Sequence, residues 1–313
     1  MKGFYPLSNS CYMDSVVMSL LHNKKSIFIE KFLSSNNGIA KTLHMYHTKM
    51  HNDNTDEKLN MTHLKDICSQ IQIKKSGIYP HYKEDQPQDA EEFLQFLFNE
   101  IAYCNQANST LETETNLLYK NNSNSTELLK SKSDKEKVPI YAFTPTTNPS
   151  VVENADPTKC ISLSKLINRG NVMTHTDIQV TEDMKNFDEV VTQSLIKNAT
   201  YVIITIPRLT MVEPDFTPTK KTQDVIPDET ITINENTLLL TSIIAHLGCH
   251  TAGHYVCFFN KEGTWFLFDS SMYGLSNEFI QIGNFSNVLS LKSGEGEIVQ
   301  KCGTILIYEM VGR

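Results

Sequence analysis

The chain has 313 residues, of which 40% are hydrophobic and 20% charged, a balance typical of a globular protein with enough apolar material for a hydrophobic core. The formal net charge of −8 disfavours nucleic acid and anionic membranes as the main partners. No stretch of about 18 consecutive apolar residues is present, so the sequence predicts no membrane-spanning helix.

The first predicted element is an amphipathic helix over residues 11–22. Its apolar side chains recur at helical spacing, at Met13, Val16, Val17, Leu20 and Leu21. Ser10 is a candidate N-cap, which places Cys11 in the first turn. Segments 26–33 and 38–47 are predicted helices as well.

The clearest helix lies over residues 88–103, with the sequence QDAEEFLQFLFNEIAY. Its apolar face repeats at Ala90, Phe93, Leu94, Leu97, Phe98 and Ile101. Asp89, Glu91 and Glu92 lie in the first turn, where the helix dipole favours acids. Residues 105–137 follow, and their polar composition predicts a surface insertion or mobile loop.

Beyond this segment the sequence changes to β character. Short runs rich in Val, Ile, Leu and aromatic residues predict strands at Tyr201–Ile206, Leu238–Ala245, Tyr255–Phe259, Trp265–Phe268 and Thr304–Tyr308. Helices come first and strands later, so the sequence predicts an α+β fold rather than an alternating α/β fold.

Cys11 is the first candidate for chemistry. A cysteine at a helix N-terminus feels the positive end of the dipole, which favours the thiolate and suits a nucleophile. The alternative is a buried structural cysteine, the commoner role for a lone cysteine. A nucleophilic thiolate also needs a histidine that accepts and returns a proton, and a carboxylate or amide that orients the histidine.

Three of the ten histidines lie in one short segment, HLGCHTAGHY at residues 246–255. On a helix, the four-residue spacing of His246, His250 and His254 would place them on one face, as in zinc sites. The two glycines and the flanking β-like runs favour a hairpin loop instead, in which this spacing gives no common face. Metal binding stays open as an alternative.

The hairpin interpretation brings His254 and Asp269 together. His254 begins one predicted strand and Asp269 ends the next, with a short turn at 260–263 between them. The start of one antiparallel strand lies beside the end of its neighbour, so we predict that these two residues are neighbours. The alternative is that Asp269 only terminates a strand in a turn, a common role for aspartate.

Together these residues resemble the ubiquitin-specific proteases, a papain-like family of cysteine deubiquitinases. Ser10-Cys-Tyr-Met-Asp-Ser15 is similar to the family's cysteine box, in which Thr-Cys-Tyr-Met-Asn-Ser is usual. Five further boxes follow in the family's order: Gln88-Asp-Ala-Glu-Glu-Phe-Leu94, Tyr201-Val-Ile-Ile-Thr-Ile-Pro-Arg-Leu209, His246-Leu-Gly with Gly253-His-Tyr255, Trp265-Phe-Leu-Phe-Asp269 and Cys302-Gly-Thr-Ile-Leu-Ile-Tyr308. Six boxes in the right order are specific where one alone would be weak.

The resemblance implies a papain-like cysteine protease fold in a single catalytic domain over residues 1–313. A helical thumb would cover 1–104, and an antiparallel-sheet palm with reduced fingers would cover 138–313. The implied activity is hydrolysis of the peptide or isopeptide bond after the C-terminal glycine of ubiquitin, through an acyl-enzyme on a cysteine. Ubiquitin or ubiquitinated proteins would be the partners, the protein would be a monomer, and no cofactor is expected.

The resemblance also implies roles for single residues. Cys11 would be the nucleophile, His254 the general base and Asp269 the residue that orients it. Asp89 would contact the arginine-containing tail of ubiquitin, since carboxylates position such cations; the alternative is a helix-start acid without a partner. Gln88 and Tyr255 are expected beside the same cleft.

The chain departs from the family pattern at several points. Pro6 stands where the family usually has an oxyanion-stabilising Asn, and proline offers neither an N–H nor a side-chain donor. Asn9 and the backbone N–H of Cys11 are the candidate donors instead. Ser270 stands where a second Asp or Asn is common. The zinc-binding Cys-x-x-Cys pairs of the fingers are missing, so fingers without a zinc site are expected.

The seven cysteines are loosely spaced and odd in number, which is typical of reduced thiols and predicts an intracellular protein, cytoplasmic or nuclear. The N-terminal segment MKGFYPLSNSCYMDS lacks the apolar run of a signal peptide. Two functional alternatives stay open. One is a protease-like domain that binds ubiquitin without cleaving it, and the other is a papain-like peptidase for another Gly-Gly modifier or for a polyprotein.

Overall fold

A computed structural model gives the three-dimensional structure of the protein. It describes residues 2–5, 7–33, 35–52, 59–76, 88–101, 109–120, 126–138, 140–142, 161–164, 167, 171–180, 185–197, 201–206, 208–212, 217–220, 224–233, 235–249, 252–272, 279–293 and 296–310. Pro6 and His250, both discussed above, lie outside these residues.

The N-terminal part of the described chain is helical. Its helices are α1 (Cys11–Leu21), α2 (Ile27–Leu33), α3 (Gly38–Met50), α4 (Thr62–Ser76) and α5 (Ala90–Glu100). The predicted helices at 11–22, 26–33, 38–47 and 88–103 are confirmed to within a few residues, and α4 adds to them. Among the described residues, no helix is long and apolar enough to cross a membrane.

Helix α1 is enclosed by the rest of the protein. Every residue from Tyr12 to Leu21 is buried, because the helix packs against strands of the main sheet on one side and against α3 and α5 on the other. At its C-terminal end, Nε2 of His51, the residue that follows α3, donates to the carbonyl of Leu21 at 2.9 Å. The core therefore fixes the position of Cys11, the first residue of the helix.

The described strands share a mostly antiparallel arrangement. They are β1 (Ser109–Lys120), β2 (Thr126–Val138), β3 (Ile140–Ala142), β4 (Ile161–Ser162), β5 (Asn171–Val180), β6 (Lys185–Lys197), β7 (Tyr201–Thr205), β8 (Leu209–Val212), β9 (Thr217–Lys220), β10 (Val225–Ile226), β11 (Thr230–Ile233), β12 (Asn236–Gly248), β13 (Gly253–Lys261), β14 (Thr264–Phe268), β15 (Phe279–Gly283), β16 (Lys292–Ser293), β17 (Gly296–Glu297) and β18 (Gly303–Met310). Two short helices, α6 (Phe285–Ser290) and α7 (Ile298–Cys302), and a 3-10 turn at Ser270–Met272 lie among the last strands. The five predicted strand runs coincide with β7, β12, β13, β14 and β18, and the α+β fold is confirmed.

The main sheet has the order β15-β14-β13-β12-β18-β7-β3, with β11 beside β12. Alternate side chains of its strands enter two separate hydrophobic cores. Ile203 and Ile305 join the core shared with the helices, whereas Val202 and Leu306 join the core on the opposite face. Because both faces of the sheet are buried, its central strands are continuously apolar rather than alternating.

A second sheet corrects the prediction for residues 105–137. Where this segment is described, it forms β1 and β2, which join β5 and β6 in a four-stranded antiparallel sheet of order β2-β1-β6-β5. The described residues are therefore strands rather than a loop, and the surface insertion stays a prediction. Polar side chains pair across these strands; one pair is Lys135 with Glu112, whose Nζ and Oε1 lie 3.4 Å apart.

Candidate active site

Cys11 lies at the N-terminus of α1, where its thiol is half-buried and forms no disulfide. Ser10 occupies the predicted N-cap position, but its hydroxyl makes no cap hydrogen bond. That hydroxyl donates instead to Oδ2 of Asp14 at 2.8 Å. The thiol of Cys11 lies at the positive end of the dipole of α1.

Strands β13 and β14 form the predicted hairpin. Its tight turn contains Glu262 and Gly263, which have φ angles of 53° and 85°. Two successive left-handed residues match the twist of paired strands, and glycine adopts this conformation without strain. The turn sets the register that brings His254, near the start of β13, towards Asp269, which follows β14.

The predicted neighbourhood of His254 and Asp269 is confirmed, since Nε2 of the imidazole lies 2.7 Å from Oδ1 of the carboxylate. The hydrogen bond with Asp269 is the main cause that raises the pKa of His254 to about 10; a hydrogen bond with Cys11 adds to it and burial opposes it. With Nε2 on the carboxylate, Nδ1 is the ring nitrogen available to Cys11. The imidazole therefore bonds the carboxylate and interacts with Cys11.

Asp269 both ends strand β14 in a turn and binds the imidazole of His254. Burial raises its pKa, but the hydrogen bonds from His254 and Ser271 outweigh burial and hold the pKa below its usual value. Ser271 donates both its backbone N–H, at 2.8 Å, and its hydroxyl, at 2.7 Å, to Oδ1. One carboxylate thus closes the turn after β14 and binds the imidazole.

We expect Asp269→Asn to lower the pKa of His254 from about 10 towards 6.5, because the main stabilising contact of the imidazolium is lost. A raised folded-state pKa stabilises the fold fully below pH 6.5, and this contribution is lost as the pH rises through about 10. The stability difference between wild type and variant should therefore shrink over that interval.

An NMR titration of the imidazole signals tests this expectation, with denaturant unfolding measured at each pH. The exposed His63 provides a reference signal in the same spectra. An unchanged titration midpoint for His254 in the variant would show that Asp269 does not hold the imidazolium.

Asp89 connects α5 to the strand that carries His254. Its Oδ1 caps α5 by accepting two backbone N–H groups of the first turn, at 2.7 and 3.1 Å. Its Oδ2 accepts the hydroxyl of Tyr255 at 3.1 Å. Asp89 is therefore more than a helix-start acid without a partner. Gln88 precedes it and is half-buried.

Asn9 has a φ of 53°, a left-handed conformation in which Asn is enriched among non-glycine residues. Its side chain is exposed, and Nδ2 donates to Oγ of Ser8 at 3.4 Å. Asn9 stands two residues before Cys11, and its role as an oxyanion donor stays a prediction. Pro6 lies outside the described residues, so its effect on the site also stays a prediction.

His246 lies on β12 opposite Tyr255 on β13, with their ring centroids 4.7 Å apart. The segment is therefore a strand pair, and the four-residue histidine spacing gives no helical face. In the described parts of the chain, no group of three His, Cys, Asp or Glu side chains could hold a metal ion. A Cβ at Gly253 would overlap the imidazole of His246, so glycine permits this packing.

The sequence assigned no role to Asp14, yet this residue lies against the site. It is fully buried within α1, and its surroundings include Ser10, Ser270 and His254. The signal in the sequence is an acidic residue between Met13 and Ser15 in the first turn of a helix whose other face is apolar.

Comparisons with known proteins agree with this geometry. The family model described as ubiquitin carboxyl-terminal hydrolase matches residues 2–308. The fold is similar to that of the SAGA DUB module Ubp8/Sgf11/Sus1/Sgf73 bound to monoubiquitin, with a TM-score of 0.65 and 14% identity over 100% of this chain and 69% of that chain. The same module bound to ubiquitin aldehyde has a TM-score of 0.65 and 15% identity, over 100% of this chain and 70% of that chain. A yeast SAGA DUB module with a mutant Sgf73 has a TM-score of 0.62 and 14% identity, over 100% of this chain and 69% of that chain. At these identities the likeness concerns the fold alone. No curated protein matches the chain.

Proposed function

The chain belongs to the ubiquitin carboxyl-terminal hydrolase family, and from this premise we propose that it is a thiol-dependent deubiquitinase that cleaves the peptide or isopeptide bond after the C-terminal glycine of ubiquitin. The observation that carries the proposal is the imidazole of His254, which bonds the carboxylate of Asp269 at 2.7 Å and has a pKa that Cys11 also helps to raise. A nucleophile, a base and an orienting group in mutual contact are the set that acyl transfer needs.

In the proposed mechanism, the thiolate of Cys11 attacks the carbonyl carbon of the scissile bond. The imidazolium of His254 gives its proton to the leaving amine, so the C–N bond breaks and a thioester remains on Cys11. The neutral imidazole then takes a proton from the water that attacks the thioester; the C–S bond breaks, ubiquitin leaves with a free C-terminal carboxyl group, and the thiolate and imidazolium are restored. Asp269 holds the imidazole in the tautomer that serves Cys11 and stabilises its positive charge.

We propose that Asp89 positions the ubiquitin tail. The tail carries arginines before its Gly-Gly end, and a carboxylate fixed at a helix start can bind a guanidinium group. Its contact with Tyr255 supports this placement, because it sets the carboxylate beside the strand of His254. The small Gly-Gly end suits a narrow passage to the thiolate.

Asp89→Asn tests this role while keeping the helix cap, since Asn caps helices as well as Asp does. We expect KM for a fluorogenic ubiquitin amide to rise roughly tenfold, because one charge-assisted hydrogen bond to the substrate is lost. The value of kcat should not change. Glu92→Gln removes a neighbouring exposed charge from the same helix turn and should leave both constants unchanged. A KM for Asp89→Asn equal to that of the control would exclude the contact.

The experiment that tests the proposed function is reaction of the purified protein with ubiquitin carrying a C-terminal electrophile. We expect a covalent adduct, and peptide mass spectrometry should place it on Cys11 and not on the exposed Cys249. Probes built on other Gly-Gly modifiers, used beside it, test the choice of modifier.

Binding of ubiquitin without an adduct would favour the non-cleaving ubiquitin binder. Asn9 gives that alternative a specific basis, because its side chain bonds Ser8 and Pro6 offers no donor in its place. An adduct with another modifier but none with ubiquitin would favour the peptidase alternative.

A further inference from the structure

In the described chain, three donors converge on one oxygen atom of the Asp269 carboxylate. Nε2 of His254 lies 2.7 Å from Oδ1. The backbone N–H of Ser271 donates to the same oxygen at 2.8 Å, and the hydroxyl of Ser271 donates to it at 2.7 Å. The imidazole and the hydroxyl therefore bind the same atom at the same distance.

A carboxylate needs such donors because its own geometry does not fix its orientation. Rotation about the bond between Cβ and Cγ of an aspartate is soft and has broad minima. Such a rotation moves Oδ1 away from the imidazole, whereas catalytic groups have to be held to within about 0.5 Å of their working positions. The side chain of Asp269 is 18% exposed, so packing alone does not hold it.

Ser271 belongs to the turn that follows Asp269. This 3-10 turn is closed by the backbone N–H of Met272, which donates to the carbonyl of Asp269 at 3.2 Å. Ser271 is exposed, and water can take the place of a hydroxyl as a donor. Water is not attached to the turn, however, so it does not fix the direction in which Oδ1 points.

The same motif occurs a second time in the chain. The hydroxyl of the exposed Ser286 donates to Oδ1 of Asn284 at 2.8 Å, and the backbone N–H of Asn287 donates to that oxygen at 3.0 Å. Asn284 is the N-cap of α6. In the described chain, the difference is that the acceptor of the first motif also bonds an imidazole. The second motif therefore separates the effect of closing a turn from the effect of holding the carboxylate of Asp269.

We propose that Ser271 is a positioning residue of this site: its hydroxyl fixes Oδ1 of Asp269 in the direction of His254 and so keeps the imidazole oriented for Cys11. The family resemblance concerns Asp269 and the position directly after it, and it gives Ser271 no role. The contribution to catalysis rests on the proposed function. The hold on the carboxylate does not.

The loss of the hydroxyl should affect orientation and leave the turn intact. Ser271→Ala keeps the backbone N–H that bonds Oδ1, so the turn should still form. The carboxylate then depends on the imidazole for its orientation, although its task is to orient the imidazole. In the proposed mechanism Asp269 acts through His254 and does not bind ubiquitin, so the change should appear in kcat and not in KM.

The test is steady-state hydrolysis of a fluorogenic ubiquitin amide by the full-length protein and three variants. Ser271→Ala removes the hydroxyl, Ser271→Thr retains it, and Ser286→Ala removes the hydroxyl of the second motif as the matched control. The NMR signal of the Nε2–H group of His254, assigned by its absence from His254→Ala, reports the bond to Asp269 without any substrate.

We expect Ser271→Ala to lower kcat roughly fivefold, less than the loss of a buried hydrogen bond to a charged group, because water reaches the exposed site. KM should not change. Ser271→Thr should restore most of kcat, and Ser286→Ala should match wild type. The Nε2–H group of His254 should exchange with water faster in Ser271→Ala than in wild type, because Oδ1 accepts its proton for a smaller fraction of the time.

The proposal is overturned if kcat of Ser271→Ala equals that of wild type, or if Ser271→Thr is as slow as Ser271→Ala. It is also overturned if Ser286→Ala gives the same loss, or if the exchange of the Nε2–H group is no faster in Ser271→Ala than in wild type. A wild-type protein that hydrolyses no ubiquitin amide, together with faster exchange in Ser271→Ala, would contradict the proposed function and support the hold of Ser271 on the carboxylate.

Discussion

Cys11→Ala is expected to abolish hydrolysis of a fluorogenic ubiquitin amide and to leave the binding of ubiquitin intact. No other group takes over the covalent step, and removal of a nucleophile that works with a base costs on the order of 10⁶-fold in kcat. The fold should tolerate the change, because Cys11 is half-buried at a helix start and alanine is the best helix former. Steady-state kinetics and titration calorimetry with ubiquitin measure the two quantities.

Cys249→Ala is the matched control, since it removes an exposed thiol and should retain full activity. Residual turnover by Cys11→Ala within about tenfold of wild type would exclude Cys11 as the nucleophile, given the size of the loss expected. A variant that loses both turnover and ubiquitin binding would indicate damage to the fold, which thermal denaturation of the same sample detects.

His254→Ala has the second largest expected effect, a loss of roughly 10³- to 10⁴-fold in kcat. In the proposed mechanism, the imidazole supplies the charge that holds the thiolate, the proton for the leaving amine and the base for the attack of water. The side chain is 30% exposed, so free imidazole in solution can reach the space left by the substitution. We therefore expect added imidazole to restore part of the activity of His254→Ala.

His63→Ala, which replaces an exposed histidine on α4, is the control for this series and should be as active as wild type. Added imidazole should have no effect on Cys11→Ala, because the nucleophile itself is missing there. Activity of His254→Ala close to that of wild type would show that another group moves the proton.

The sequence predicts best those features that depend on neighbours along the chain. The apolar periodicity of α5 and the turn residues between β13 and β14 are local signals, and both elements lie where these signals place them. The contact of His254 with Asp269 follows from the same hairpin. The position of Cys11 beside His254 does not follow from the hairpin, because it depends on packing between elements from opposite ends of the chain. Only the family resemblance implied it.

The sequence does not predict features that depend on residues far away along the chain. The described part of the polar segment at 105–137 forms strands because β1 pairs with β6, whose partner residues lie some tens of positions later in the chain. Asp14 looks like an ordinary first-turn acid, and only the turn at Ser270 and the packing of α1 show that it is buried. Burial of a polar side chain is a tertiary property that no local pattern encodes.

The place of β18 in the main sheet has a consequence for the biosynthesis of the protein. This strand, Gly303–Met310, lies between β12 and β7, so the sheet lacks its centre until residues 303–310 have left the ribosome. At about 5 to 20 residues per second, roughly 15 to 60 seconds separate the appearance of Cys11 from that moment. During this interval the nascent chain carries an ordinary thiol, and translation that stops before β18 yields no partial enzyme.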